Sequence, residues 1–205
     1  MLLTRTELAL AKFASKDASR LTLQSIAVEK DLTAVTDGNL LLTVAHSKEH
    51  KDEDYPPTPG LEMAQVNGEP LLVDATAALA ALKALPRKTT IPILAFAALG
   101  TDRKLVVNTL ESIGAWQSTH TGQFPNWRVC MPTGEPKVEI YLDASLLASL
   151  AEFIAQHGDD RMPGVRLTIY DADRPVRMDA RTAEGEDITA ILMPIRGEAT
   201  KYPVR

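Results

Sequence analysis

The chain has 205 residues, of which 45% are hydrophobic and 24% are charged, and its formal net charge is −5. This composition is typical of an ordinary globular protein and excludes a disordered chain. The acidic balance argues against a protein whose whole surface grips nucleic acid, although it leaves room for a local basic stripe.

Cysteine usage and the N-terminus bear on where the protein works. Cys130 is the single cysteine, so it has no partner for an intramolecular disulfide or a zinc site, and a reducing compartment is expected. The N-terminal segment 1–8 carries charges where a signal peptide needs its apolar stretch, and no run approaches the roughly 18 apolar residues of a membrane span. We therefore predict a cytoplasmic protein that does not enter a membrane.

Three copies of one pattern recur at a spacing of about 70 residues, which is the signature of a repeat. A short apolar run ends at Thr4, at Asp74 and at Asp143, and a helical pattern follows each of them. Because their side-chain oxygens can accept hydrogen bonds from free helical amides, these three residues are the predicted N-caps. The second helix is predicted to end at Pro86 and the third near Gly158.

Segments of strand type follow each helix, so each copy is predicted to contain a strand, a helix and then about three antiparallel strands. The predicted strands after the helices are 21–28, 32–35 and 40–44 in copy one, 91–96, 105–107 and 112–120 in copy two, and 165–170, 176–178 and 188–192 in copy three. The run 137–142 is the predicted first strand of copy three. Helices that back antiparallel sheets define an α+β fold class.

The stretch 121–132 is too irregular for ordinary secondary structure. Gly122 permits a turn, prolines interrupt any helix or ladder, and Phe124 and Trp127 offer large apolar faces. We interpret it as a buried connector between modules, the alternative being a surface loop that contains two aromatics. Segment 47–67 is predicted to be a solvated loop and 197–205 a flexible tail.

Three motifs in this framework resemble the DNA sliding clamp family, specifically the bacterial DNA polymerase III β subunit. Segment 35–41 resembles the clamp's Ala-Thr-Asp-Gly-His-Arg-Leu turn, segment 122–132 its Gly-Arg-Phe-Pro-Asp-Tyr segment, and segment 191–196 its C-terminal Val-Val-Met-Pro-Met-Arg-Leu. The resemblance implies repeated β-α-β-β-β units, which is a clamp-like fold.

The resemblance also implies a domain organisation that is shorter than the family's three domains. Residues 1–132 correspond to one complete domain with repeat units 1–46 and 68–132, and residues 133–196 correspond to a single half-domain. An unpaired half-domain leaves a sheet edge and a helix face uncovered, so self-association is expected. Two chains would hold six units, and four chains would hold the twelve of a closed ring.

In the family, a pocket between the middle and last domains receives short apolar peptides from polymerases and other partners. The motif positions that imply this pocket here are Arg20, Leu23, Thr36, Gly38, Asn39, Leu41, Pro132, Ile191, Met193, Pro194 and Arg196. Branched aliphatic and Met side chains suit an apolar anchor, and Arg supplies donors at a rim. Asn39 and Leu40 replace the usual His and Arg. The alternative is that Met193 and Leu41 only fill the seam between units.

The family lines a channel with helices whose Lys and Arg make weak phosphate contacts with duplex DNA. The matching cations are Arg5, Lys12, Lys16, Arg20, Lys83, Arg87 and Lys88. The third helix departs from this pattern, because it carries Glu152 and is followed by Asp159 and Asp160. Solvated helix faces are the alternative for each cation.

No catalytic spacing is found, since the four histidines are scattered and no phosphate loop or nucleophile elbow is present. Asp37 and Gly38 fit a turn between strands, and Cys130 is predicted to be a buried packing thiol. No metal or cofactor is expected. Two classes stay open: a clamp-like protein that tethers partners to DNA, and an interaction module that binds peptides without encircling DNA. A small enzyme using Cys130 and His120 is the third alternative.

Overall fold

The structure is a computed structural model that describes residues 1–46, 58, 60–86, 96–109, 113–158 and 164–195. The chain folds into two compact units, Met1–Met131 and Pro132–Arg205, called unit 1 and unit 2 below. Each unit packs around an apolar core of its own.

Unit 1 contains two successive copies of the repeat. The first copy has β1 (Leu2–Leu3), α1 (Arg5–Ala9), β2 (Ser25–Val28), β3 (Leu32–Thr36) and β4 (Leu41–Ala45). The second has β5 (Leu71–Asp74), α2 (Ala75–Ala84), β6 (Phe96–Leu99), β7 (Lys104–Asn108) and β8 (Ile113–Gln117). Both copies follow the predicted order of strand, helix and three strands, and the predicted α+β class is confirmed.

The two copies exchange their first strands. β5 pairs with β2, in the sheet β4-β3-β2-β5, whereas β1 pairs with β6, in the sheet β1-β6-β7-β8. All of these pairings are antiparallel. Neither copy therefore completes its own four-stranded sheet, and a stable unit needs both.

One core joins the helices to both sheets of unit 1. Leu8 of α1 and Ala81 of α2 are fully buried, as are Ile26 of one sheet and Leu105 of the other, and all four belong to one cluster. Arg5 also links the two helices, because its guanidinium donates to the carbonyls of Leu82 at 3.3 Å and Leu85 at 3.0 Å, at the end of α2. A cation at the carbonyl end of a helix is favourable.

All three predicted N-cap residues lie at the N-cap position, and two of them cap their helix with the side chain. Thr4 accepts from the Glu7 amide, and the Glu7 carboxylate accepts from the Thr4 amide, which is a capping box. Asp143 accepts from the amides of Ser145 and Leu146. Asp74 lies at the predicted N-cap position of α2, but the capping hydrogen bond expected from its side chain is not formed. It binds residues at the end of β8 instead, as described below.

Unit 2 contains one copy of the repeat, with α3 (Ala144–His157), β9 (Arg166–Thr168), β10 (Val176–Arg181) and β11 (Asp187–Leu192). The three strands form an antiparallel sheet in the order β11-β10-β9. Its buried core is small, consisting of Ile154, Val176 and Met178 with half-buried neighbours.

Three predicted strands differ most from the structure, and others differ at their ends, as where 176–178 extends to Arg181 and 112–120 is found as Ile113–Gln117. Residues 137–142 form no strand, since the partner of a first strand comes from another copy of the repeat. Leu21–Gln24 is a 3₁₀ turn, so that the strand predicted from residue 21 begins only at Ser25. Of the strand predicted at 91–96, all but Phe96 lies outside the described residues, and the strand found there continues to Leu99.

Candidate functional site

The turn between β3 and β4 is built by its own polar side chains, as predicted for Asp37 and Gly38. Asp37 Oδ1 accepts from the amides of Asn39 at 2.7 Å and Leu40 at 2.9 Å. Thr36 Oγ1 donates to the Leu40 carbonyl at 2.6 Å and accepts from the Gly38 amide at 3.1 Å. Gly38 has φ +100°, a conformation that favours glycine. The turn is therefore held in one conformation.

Arg20 lies beside this turn. A Cβ atom added at Gly38 would be 3.1 Å from the Arg20 guanidinium, and Arg20 Nε lies 3.5 Å from Asp17 Oδ2. Hydrogen bonds from the Asn39 and Leu40 amides hold the pKa of Asp37 below its usual range, and the charge of Arg20 adds to this effect. The structure thus brings Arg20 together with the turn that contains Thr36, Gly38 and Asn39.

The two leucines assigned to the pocket are less exposed. Leu23 is buried within the 3₁₀ turn, and its carbonyl accepts from the Ser15 amide at 2.8 Å. Leu41 is half-buried and packs against a cluster that includes Phe124 and Trp127. The stretch 121–132 therefore supports one end of the β3–β4 turn.

Phe124 and Trp127 pack on Ala27, Ala34 and Leu72 of the first sheet, which confirms that these two aromatics are buried. The prediction for Cys130 is wrong, because its thiol is exposed. The 3₁₀ turn Trp127–Cys130 directs the indole toward the sheet and leaves the three residues after it exposed. The Cys130 thiol therefore lies at the surface and not in an apolar core.

Glu29 binds the indole N–H of Trp127. Its carboxylate accepts from Trp127 Nε1 at 2.9 Å and from the Arg128 guanidinium, which also lies 4.3 Å from the centre of the indole. The hydrogen bond from Arg128 holds the pKa of Glu29 below its usual range, with burial opposing it and Trp127 assisting. The indole is held by packing, by a hydrogen bond and by a cation–π contact.

The remaining pocket residues belong to unit 2. Ile191 and Met193 are each 57% exposed, while Leu192 between them is buried, as alternation along β11 requires. Pro132 is exposed, Pro194 is half-buried, and Arg196 lies outside the described residues. Unit 2 therefore presents two large apolar side chains to solvent at the end of β11.

The predicted DNA-binding cations differ in their surroundings. Lys12, Lys16, Arg20 and Lys83 are exposed in unit 1, whereas the guanidinium of Arg5 is engaged by the carbonyls at the end of α2. Arg87 and Lys88 lie outside the described residues. α3 contains no Lys or Arg. The exposed helical cations of the described structure therefore belong to unit 1.

A polar cluster forms around the buried Asp74 side chain, and no sequence motif predicted it. Asp74 accepts from Ser118 Oγ at 2.9 Å, from the Thr119 amide at 2.9 Å and hydroxyl at 3.1 Å, and from the His120 amide at 2.8 Å. Burial alone would raise the pKa of Asp74, but these hydrogen bonds outweigh it and hold the pKa below its usual range. No local pattern relates residue 74 to residues 118–120.

This cluster contains serine, histidine and aspartate, but its geometry is not that of a catalytic triad. His120 Nδ1 lies 2.9 Å from Ser25 Oγ and 3.3 Å from Asp74 Oδ1, so one ring nitrogen faces both residues, whereas a triad uses the two nitrogens separately. Ser25 is fully buried. His120 also lines a cavity of about 430 Å³ with Arg103, Glu69 and Thr101. The cluster is a structural tie between β5 and the end of β8.

Repeats in which a helix backs an antiparallel sheet, with first strands exchanged between neighbouring repeats, define the class of this fold. The chain is similar to the solved DNA polymerase sliding clamp from Pseudomonas aeruginosa, with a TM-score of 0.65 and 15% identity, over 96% of this chain and 52% of that one. It is also similar to the DNA polymerase sliding clamp from Bacillus subtilis, with a TM-score of 0.69 and 11% identity, over 94% of this chain and 47% of that one. A third similar structure is DNA polymerase III subunit beta from Borrelia burgdorferi, solved in complex with a natural product. Its TM-score is 0.63 and its identity 12%, over 92% of this chain and 45% of that one.

These comparisons show that the chain has the sliding-clamp fold, and the resemblance inferred from its motifs is confirmed at that level. The chain spans about half the length of the solved clamps that it matches. No protein-family model and no curated protein matches the sequence. At 8–15% identity, the activity of the clamps does not follow from the fold.

Proposed function

We propose that this protein is a sliding-clamp-like scaffold that tethers replication or repair partners to duplex DNA through a peptide-binding site. The observation that carries the proposal is the Arg20 side chain held beside the ordered β3–β4 turn, within a fold that matches the clamps over about 95% of the chain. Arg20, Leu23, Thr36, Gly38, Asn39 and Leu41 of unit 1, with Pro132, Ile191, Met193, Pro194 and Arg196 of unit 2, are the proposed peptide-binding residues.

The proposal predicts binding of a labelled peptide of the Gln-Leu-x-Leu-Phe type, measured by fluorescence anisotropy. Met193 is 57% exposed and offers a flexible apolar surface to such a peptide. We expect a dissociation constant near the micromolar range, about −8 kcal/mol. Met193→Ala is expected to weaken binding roughly tenfold, since it removes one desolvated anchor contact.

Ile113→Ala is the matched control, because Ile113 is 67% exposed on β8 and is not one of the proposed peptide-binding residues. It is expected to bind the peptide as the unmodified protein does. No binding at about a hundred times the micromolar range would contradict the peptide-binding proposal and leave only the fold in common with the clamps.

A second candidate function is a module that binds clamp-motif peptides without encircling DNA. Two observations favour it: the guanidinium of Arg5 is used at the end of α2, and α3 has no Lys or Arg. A channel lined by these helices would hold fewer phosphate contacts than one with a cation on every helix. Binding to duplex DNA therefore distinguishes the two candidates.

For the tethering function, we expect duplex binding that weakens steeply with salt and depends on Lys12 and Lys16. Both lysines are exposed in the segment after α1. The double variant Lys12→Glu, Lys16→Glu is expected to bind at least about tenfold more weakly, with a salt slope lower by about 2. Anisotropy of a labelled duplex at several salt concentrations measures both quantities.

Lys30→Glu, which reverses one exposed charge in the turn between β2 and β3, is the control and should change duplex binding little. If duplex binding is absent, or equally strong in the double variant, the second candidate function is favoured. Peptide binding is measured separately, so that the two parts of the proposal fail independently.

The proposed scaffold is non-enzymatic and has no cofactor, which is supported by the fold and by the buried, structural role of the Asp74 cluster. Among the described residues, no helix is both long and apolar enough to cross a membrane. The proposed location is the cytoplasm, and the proposed assembly is a homo-oligomer, either a dimer or a tetramer.

A further inference from the structure

Unit 1 shows how two repeats of this fold complete each other. The strand before each helix pairs with the first strand after the other helix, as β5 does with β2 and β1 with β6. The two helices share one core, in which Leu8, Ala78 and Leu82 are buried. A repeat on its own therefore lacks one strand and one helix.

Unit 2 is such a single repeat. Its sheet order β11-β10-β9 leaves β9 at the edge, at the position where β2 and β6 of unit 1 each receive a strand from the other repeat. Segment 137–142, directly before α3, forms no strand with any described residue. Among its described residues, unit 2 therefore holds both a strand segment that lacks a sheet and a sheet edge that lacks a strand.

The apolar side chains around this edge are exposed. Only Ile154 of the 14 residues of α3 is buried, while Leu146 and Phe153 are 56% and 52% exposed. On β9, Leu167 is 55% exposed although it pairs with Met178, which is 3% exposed on the same face. In unit 1, the second helix supplies the cover that α3 lacks.

The contacts that each repeat makes with its own first strand are already present. In unit 1, the chain after β8 binds the end of β5 through Ser118 and Asp74. In unit 2, the chain after β11 does the same, because the Ile195 amide donates to the Tyr141 carbonyl at 2.7 Å. Segment 137–142 is thus attached to the end of its own repeat, as β5 is, and what it lacks among the described residues is the sheet of a second repeat.

We infer that a second copy of this chain covers this face, by mutual strand exchange between the two unit 2 repeats. Segment 137–142 of each copy adds antiparallel to β9 of the other, and the two α3 helices pack together, as α1 and α2 do. A second copy supplies the strand, the edge and the helix at once through a twofold, self-complementary interface. This inference rests on the proposed self-association and names its interface.

Side-chain placement supports this occupant. Ile140 and Leu142 pack in the same core as Met178, and Leu167 of β9 lies on the same face of the sheet as Met178. The exchanged strand therefore extends the apolar face of this sheet. The opposite faces carry Glu139 on the segment and Arg166 on β9, which have opposite charges. Edge pairing is also the usual fate of an uncovered apolar strand.

Sedimentation equilibrium of the full chain tests the interface. We expect a reversible dimer, or a larger even-numbered assembly, and Leu167→Asp is expected to weaken the unit 2 contact at least about tenfold, because it places a charge in an apolar strand interface. Ile113→Asp is the matched control, since Ile113 is also an exposed strand residue, at 67%, but lies on the edge strand β8 of unit 1. This variant should associate as the unmodified chain does.

Amide hydrogen exchange at two protein concentrations is the second measurement, because it needs no variant. Protection of residues 137–142 and 166–168 should increase with concentration, while that of β2 and β6 should not. Three results would each overturn the inference. The first is a monomer at about 100 μM, and the second is association that is lost in Ile113→Asp but kept in a folded Leu167→Asp variant. The third is amide exchange in segment 137–142 that does not change with protein concentration. None of these results depends on peptide or DNA binding, so that failure of the interface is distinguishable from failure of the proposed function.

Discussion

Asp74→Asn is expected to destabilise unit 1 by about 2–3 kcal/mol, because a buried carboxylate that accepts four hydrogen bonds is replaced by an amide with one acceptor oxygen. The new NH₂ group would face either the Thr119 or the His120 amide, so that two donors oppose each other. Both tryptophans, Trp116 and Trp127, lie in unit 1, and tryptophan fluorescence during denaturant unfolding therefore reports this unit.

Asp102→Asn provides the comparison, since Asp102 is exposed and accepts one backbone hydrogen bond, from Lys104. Its cost should stay within about 0.5 kcal/mol. Equal effects of the two substitutions would mean that the Asp74 cluster does not tie β5 to the end of β8.

The same carboxylate gives the protein a pH dependence with a defined sign. Hydrogen bonds lower the folded-state pKa of Asp74 below its ordinary value of 3.8, so the stabilisation is fully present above that value and is lost as pH falls through the lower folded-state pKa. Unit 1 is therefore expected to lose stability below about pH 4, and Asp74→Asn should lose less over the same range. Urea unfolding monitored by fluorescence at pH 3, 4 and 6 compares the two proteins.

The role of Asp74 also shows where sequence patterns stop being informative. Thr4, Asp74 and Asp143 occupy the same position of the repeat, and local propensity predicts a helix cap at each. At Asp74, the segment 118–120, which lies 44 to 46 residues later in the chain, supplies four donors that outcompete the helix amides. The pattern therefore predicted where α2 begins, but it could not predict the direction of this side chain.

Strand prediction failed for a related reason at residues 137–142. Alternation of apolar residues describes a surface that fits a sheet, whereas a strand also requires a neighbour for its backbone. β5 has that neighbour in β2, but the single repeat of unit 2 does not provide one. The converse case is Ala97–Leu99, where weak strand formers pair on both sides because β1 and β7 are present.

The candidate site was predicted in part. The turn at Asp37 and Gly38 follows from local sequence, because Asp side chains and glycine fix such turns. The contact of Arg20 with that turn came only from the family resemblance. The sequence indicated that segment 121–132 is irregular. That its aromatic side chains pack on the sheet β4-β3-β2-β5 could be learned only from the tertiary structure.

Trp127→Ala is expected to cost unit 1 about 3–5 kcal/mol, because it removes a large buried side chain that packs on Ala27, Ala34 and Leu72. The substitution also leaves the Glu29 carboxylate without its hydrogen bond from the indole. Circular dichroism is the suitable probe, since only Trp116 remains to fluoresce. A cost below about 1 kcal/mol would contradict the packing of this segment on the sheet.

Trp127→Phe separates packing from hydrogen bonding. Phenylalanine keeps much of the aromatic contact and loses only the donor to Glu29, so a smaller cost of about 1–2 kcal/mol is expected. Because Leu41 packs on the same cluster, Trp127→Ala should also weaken binding of the Gln-Leu-x-Leu-Phe peptide, whereas Trp127→Phe should preserve it. Destabilisation by Trp127→Ala with unchanged peptide affinity would mean that the β3–β4 turn keeps its conformation without support from segment 121–132.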